Sequence, residues 1–214
     1  MISNIVQNRF VISRTDQVDR DISTIIPSAS KVQVGTIAYL AYKANASGQS
    51  LKIYPFHSGL RTTVNTAAVA AQDSLILVGD ATANELNGVA ITTDDFGLVE
   101  LNDGSWQLFD ISAMAASTTL LVSCTGIDIF DGETGPGLRS AVAAGNTCYL
   151  IKAADIITRA ASTSEVAIDV PVACGEQGVP FAISLSSNAT GEAYIGGLVE
   201  YTESRRITAP LAQH

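Results

Sequence analysis

From residue 32 onward the chain is a succession of short apolar runs separated by turn residues, the signature of many short strands. Residues 32–43 are long, β-branched and aromatic, and they run into Asn45-Ala46-Ser47-Gly48 before the alternating Leu51-Lys52-Ile53-Tyr54 and Pro55. This pattern predicts a hairpin. Ser74-Leu75-Ile76-Leu77-Val78 is a continuous apolar run and predicts a strand buried on both faces. Residues 86–92, 98–101 and 106–109 follow, with Asn87-Gly88 and Asn102-Asp103-Gly104 supplying the positive φ that tight turns need. Residues 98–109 form the clearest hairpin.

Further strands are expected at residues 119–123, 127–130, 148–152, 166–170, 181–185 and 193–201. Residues 138–144 and 153–161 are Ala-bearing and predict short helices, and residues 111–117 one or two helical turns. The fold class expected is therefore all-β: an antiparallel sandwich or barrel with one to three short helices and an extended N-terminal arm. Residues 1–30 carry Arg9, Arg14, Asp16, Asp19, Arg20 and Asp21, lack a clean period and end at Pro27-Ser28-Ala29-Ser30. They read as an arm or lead-in, with a first strand at residues 2–6 or 10–12 as the competing reading. Residues 31–214 form the β-rich body, with a division into two subdomains expected near 110–118.

Composition sharpens this picture. The chain has 214 residues, 47% hydrophobic and only 15% charged, against about 25% charged in an average soluble domain. Its surface is therefore rich in Ser, Thr, Asn, Gly and Ala, and few ions need to lose water when another chain packs on it. A net charge of −9 argues against broad nucleic-acid binding, which needs clustered cations. No apolar stretch reaches the roughly 20 residues of a membrane helix. The first ten residues lack the basic end and apolar block of an export signal.

Candidate chemistry is sparse. With His57 and His214 the two histidines, a nucleophile–base pair would have to use His57, in Tyr54-Pro55-Phe56-His57-Ser58-Gly59. A surface or packing role is the commoner one for such a residue. Asp94-Asp95 and the turn holding Asp128, Asp131 and Glu133 are the acidic clusters; the second has the ligand chemistry of a Ca²⁺ site without EF-hand spacing. Gly132-Glu133-Thr134-Gly135-Pro136-Gly137 lacks the Lys-Ser/Thr of a phosphate loop. Cys124, Cys148 and Cys174 are odd in number and far apart, which favours small core residues over a disulfide framework. Neither cofactor nor catalytic residue is expected.

The Ala/Thr/Ser/Gly-rich strands, the charged lead-in, Leu101-Asn102-Asp103-Gly104-Ser105-Trp106 and Gly191-Glu192-Ala193-Tyr194-Ile195-Gly196-Gly197 together resemble virion proteins of tailed bacteriophages, above all the capsid decoration (cement) proteins. That resemblance implies a β-rich subunit, a trimer or dimer, that sits on an icosahedral shell and clamps adjoining capsomers. The expected partners are a major capsid protein or another virion protein and further copies of the chain. The expected location is the virion, assembled in the host cytoplasm. Arg9, Phe10, Arg14 and Arg20 in the lead-in, and Arg205 and Arg206 near the C-terminus, are the candidate partner-binding residues. Deleting residues 1–20 is expected to abolish particle binding and leave a folded core. Two other classes remain open: a tail or fibre component binding a host glycan around Trp106, Tyr39, Tyr42 and Tyr54, and a hydrolase using Asp128 or Asp131.

Overall fold

A computed structural model describes residues 5–14, 22–26, 33–72, 74–79, 84–115, 120–127, 137–168, 171–173, 176, 178–186 and 192–203. In chain order the strands are β1 (Ile5–Arg14), β2 (Ile22–Ile26), β3 (Gln33–Lys43), β4 (Gln49–Tyr54), β5 (Arg61–Thr66), β6 (Ser74–Leu77), β7 (Glu85–Leu86), β8 (Val89–Ala90) and β9 (Phe96–Glu100). They continue as β10 (Trp106–Ala115), β11 (Leu120–Ile127), β12 (Thr147–Ile151), β13 (Ile157–Ala161), β14 (Val166–Ile168), β15 (Val172–Ala173), β16 (Phe181–Leu185) and β17 (Ala193–Glu203). Single turns of 3-10 helix at Ser58–Leu60 and Ala153–Asp155 interrupt them. The molecule is all-β and antiparallel, as the hydrophobic pattern requires.

The central part of the chain closes into a barrel in the order β10-β11-β6-β5-β12-β9. Alternation along its strands sends Val99, Phe109, Ile111, Cys148 and Leu150 inward, while Leu98, Leu108, Tyr149 and Ile151 point out of the barrel wall. Register shifts at Ile111/Ala113 on β10 and Val64/Thr66 on β5 supply the local bends that closure demands. At Gly97 the Phe109 ring lies so close that an added Cβ would sit 2.1 Å from its Cζ. The paired strands bring these two residues opposite each other, and the ring covers the glycine.

Both ends of the chain build the sandwich. Its outer sheet runs β1-β17-β3-β14, with β15 also on β3, and its middle sheet runs β13-β4-β16-β2. Ile37, Leu40 and Tyr42 of β3 and Ile195, Val199 and Tyr201 of β17 meet Leu51 and Ile53 of β4 and Phe181, Ile183 and Leu185 of β16 in one core. The reverse face of the middle sheet is also covered. Tyr54 and Ala182 pack with Leu98, Leu108, Tyr149 and Ile151 of the barrel wall, so β16 is buried on both faces. The result is three layers: outer sheet, middle sheet and barrel. Each large apolar side chain sealed between them contributes about 1.5–3 kcal/mol.

Several local expectations change. β3 and β4 are not a hairpin: β3 pairs with β17, β14 and β15, and β4 with β13 and β16. The turn at 45–48 carries the chain from one sheet to the other, because both strands bury their apolar faces in the shared core. β6 alternates between half-buried and buried positions instead of being covered on both faces. Residues 138–144 are not helical; Leu138 and Val142 bond across to Gln72 and Ala68. Residues 153–161 give one 3-10 turn and then β13, in register with β4. Residues 111–115 continue β10 past its bulge, so helical turns are absent there and the chain around 110–115 lies inside the barrel. The lead-in supplies β1 to the outer sheet and β2 to the middle one.

Candidate functional site

A closed barrel has no unpaired strand, but each sheet of the sandwich ends in two. β1 pairs with β17 residue for residue, from Ile5 opposite Thr202 to Arg14 opposite Ala193. Among the described residues no strand lies beyond it. Along this ten-residue strand every other residue bonds β17 and the residues between them direct their N–H and C=O groups the other way, where another strand can bond them. The opposite edge of the outer sheet is β14 against Leu40, Ala41 and Tyr42, extended by β15 against Thr36 and Ile37. The middle sheet ends in β2, on β16, and in β13, on β4.

These four edges fall on two flanks. β1 and β2 approach each other on the first. On the second, β13 and β14 are consecutive in the chain, and the Tyr42 hydroxyl on β3 donates to Ala160 O at 3.0 Å while Ala44 N donates to Ser162 O at 2.9 Å. Thr158, Arg159 and Ala160 on β13, and Glu165 and Ala167 at β14, are exposed. Burial raises the Tyr42 hydroxyl pKa above its ordinary value, so that group stays a donor in this link.

Three of the six candidate partner-binding residues lie together on one edge strand. Arg9, Phe10 and Arg14 occupy β1, opposite Leu198, Gly197 and Ala193 of β17. Arg20, Arg205 and Arg206 lie outside the described residues. Sequence reasoning missed the second flank, because β13 sits in a segment whose alanines resemble a helix. The local sequence Ile157-Thr158-Arg159-Ala160-Ala161 has no clean period 2, and three successive positions of it are exposed, so no local signal marked the strand.

The chemistry-bearing candidates are put to structural use or lie outside the described residues. Asp128, Asp131 and Glu133 belong to the second group, with Cys174. Among the described residues no three His, Cys, Asp or Glu side chains gather as a metal site. Asp95 is 1% exposed; it accepts the Thr92 N–H at 2.8 Å and the Ala153 N–H at 3.0 Å and pairs with Lys152 Nζ, clamping the end of β12 to the turn before β9. Ser58 donates its backbone N–H and its hydroxyl to Glu176, the hydroxyl at 2.6 Å. Those bonds, helped by His57, hold the Glu176 carboxyl below its usual range. The Ser58 proton is thereby committed to Glu176 and not to an imidazole. Cys148 is buried in the barrel core, and Cys124 falls on β11.

The aromatic set suggested for a glycan groove is dispersed. Tyr42 is buried in the sandwich core and Tyr54 between the middle sheet and the barrel, where its hydroxyl shares a hydrogen bond of 2.9 Å with Ser184. Trp106 lies against Tyr149, ring centroids 5.9 Å apart, while Tyr39 is 42% exposed on β3. An open groove of about 610 Å³ runs along β5 beside the β7–β8 hairpin, lined by Arg61, Thr62, Val78 and Asn87 among others. Its lining holds one cation and no carboxylate.

No known protein family matches the chain, and no curated protein does. Among solved structures, VP17, a capsid protein of bacteriophage P23-77, is similar at 11% identity and a TM-score of 0.23, covering 96% of this chain and 100% of that one. The complex of the two major capsid proteins of that phage, VP16–VP17, gives 11% identity and 0.23 over 93% of this chain and 100% of its own. Desmodium yellow mottle tymovirus gives 12% identity and 0.22, covering 95% and 89%. No residue role is carried over from them.

Proposed function

We propose that this chain is a non-enzymatic structural subunit of a virion, which binds a capsid lattice and further copies of itself through the area it covers. The observation that carries this reading is β1: a ten-residue edge strand, built from the charged lead-in, with one side paired and no strand on the other among the described residues. Strand addition to such an edge gives affinity through main-chain hydrogen bonds and asks for no reactive side chain. The weakly charged surface lowers the desolvation cost of close contact, and the resemblance of the sequence to phage decoration proteins supplies the setting. Repeated contacts on a lattice add through multivalency, so each need only be weak.

Because β1 is bonded along its length to β17, deleting residues 1–20 would uncover a new edge as well as remove the old one. Point variants are the cleaner tool. The chain is expected in gradient-purified particles from the source of its gene, at a fixed ratio to the major shell protein, detected by mass spectrometry. Arg9→Glu with Arg14→Glu, which reverses both charges of this edge strand, is expected to lower its particle affinity by about a hundredfold or more. Absence of the chain from purified particles would overturn the proposal.

A further inference from the structure

We infer that copies of this chain join head to tail, the β1/β2 flank of one against the β13/β14 flank of the next, so that both sheets of the sandwich continue across the contact. Strand direction is the first ground. Each step along β1-β17-β3-β14 is antiparallel, so β14 runs opposite to β1. Each step along β13-β4-β16-β2 is antiparallel too, so β2 runs opposite to β13. A second copy set beside the first in the same orientation therefore brings its β1 antiparallel to β14 and its β2 antiparallel to β13. Both pairings form at once, with the ladder geometry already used throughout the molecule. β2 and β13 are also equal in length, five residues each.

Charge is the second ground. β1 carries Arg9 and Arg14 and no acid, whereas the residue entering β14 is the exposed Glu165, which also accepts the Tyr194 hydroxyl; the exposed Arg159 of β13 would meet the uncharged β2. Head-to-tail contact sets cations against a carboxylate. Two-fold pairing of β1 with its own copy would instead gather four arginines and no acid on two adjacent strands, and the registers that set Arg9 opposite Arg14 or opposite itself are destabilised by like charge. The same physics selects the second flank of this chain as the occupant of the first. A heterologous contact of this kind closes into a ring or propagates, and either suits a lattice component. The inference rests on the proposed virion role only for its setting.

Mixing two singly blocked forms tests it directly. Ala160→Lys with Ala167→Lys places charges on exposed positions of β13 and β14, and Arg9→Glu with Arg14→Glu reverses β1. By light scattering the parent chain is expected to form multimers, and each blocked form alone to have the mass of one chain. Their equimolar mixture is expected at the mass of two, because one intact flank of each remains to pair with the other. Glu165→Arg offers a second block of the β14 flank should the lysine pair fail to fold by circular dichroism. A monomeric parent, a blocked form that still multimerises, or a mixture that stays monomeric overturns head-to-tail joining. If the chain is nevertheless found in purified particles, the virion role stands without it; if the mixture dimerises and particles lack the chain, the virion role falls alone.

Discussion

The barrel and the sandwich are made of the same kind of strand, yet they resolve the edge problem differently. The barrel uses residues 61–151, one unbroken stretch inserted between β4 and β13, and every one of its strands has two neighbours. The sandwich gathers its strands from both ends of the chain and, among the described residues, leaves five of them, β1, β2, β13, β14 and β15, with one neighbour. Full closure removes the template on which foreign strands add; an open sheet keeps it. Polar accounting follows the same division. Gln107, 4% exposed on β10, donates from Nε2 to Gly137 O at 3.0 Å and accepts the Arg139 N–H at 2.7 Å, so a loop across the barrel is pinned by an amide that both donates and accepts. The self-contained module supplies rigidity, and the open one supplies surface.

The sharpest way to break that contrast is to spoil closure. In Gly97→Ala the new methyl would meet the Phe109 ring at 2.1–2.6 Å, and the ring has no room to retreat in a core where Phe109 is 0% exposed. Phe109→Ala removes the same ring and is expected to cost about 3–5 kcal/mol by emptying the barrel centre. Urea unfolding should show both single variants strongly destabilised, and Gly97→Ala with Phe109→Ala less so than the sum, since removing the ring relieves the clash. Additive losses would show that the close approach of ring and glycine does not matter to the barrel.

The Asp95 clamp comes next. Asp95→Ala leaves the Thr92 and Ala153 N–H groups without their acceptor and Lys152 with only the Ala90 carbonyl, at 2.7 Å. The expected loss is about 2–3 kcal/mol, below that of a sealed ion pair because the Lys152 side chain keeps 26% of its surface exposed. Lys152→Met, which removes the cation and its bond to Ala90 O but leaves both N–H groups on Asp95, is expected to cost less than half as much by thermal unfolding. Equal losses would assign the clamp to the ion pair alone and not to the backbone bonds.

How much of this was legible depends on whether a segment's partners are near in sequence. The 98–109 hairpin could be read because its turn is local: Gly104 takes φ 80°, and the Asp103 carboxylate accepts the Ser105 N–H at 2.9 Å. β16 and β17 announced themselves by length and apolar content. The partner of β3 could not be read, because β17 lies some 150 positions further on and the turn after β3 says only that the chain reverses. Residues 138–144 carry helix-forming alanines, but bonds such as Ala71 N to Leu138 O at 2.7 Å and Asn102 N to Ala141 O at 2.9 Å come from distant segments and override local preference. For the candidate site the lead-in residues Arg9, Phe10 and Arg14 were visible as odd charges and an odd aromatic. That they form an edge, and that a second edge runs antiparallel to it, belongs to sheet topology and is written in no short stretch of sequence.

The smallest effect is expected at the link between the two modules, where the barrel-side turn at Ser58 is held by Glu176 from the loop before β16. Hydrogen bonds from Ser58 depress the folded pKa of Glu176 below its ordinary 4.5, and the nearby His57 adds to the depression. A carboxyl with a lowered folded pKa favours the native state above the unfolded value, and that contribution disappears as pH falls through the folded one. Glu176 is exposed, so solvent screening keeps the contribution under about 1 kcal/mol. Glu176→Gln should therefore be slightly less stable than the parent in urea at neutral pH, and the gap should close as the pH falls below 4.5 and through the depressed folded value. The barrel variants should keep their deficits over the same range, because the Phe109 ring does not titrate. A gap at Glu176 that is constant with pH would show that its two bonds to Ser58 hold the modules together by geometry and that the carboxylate charge adds nothing.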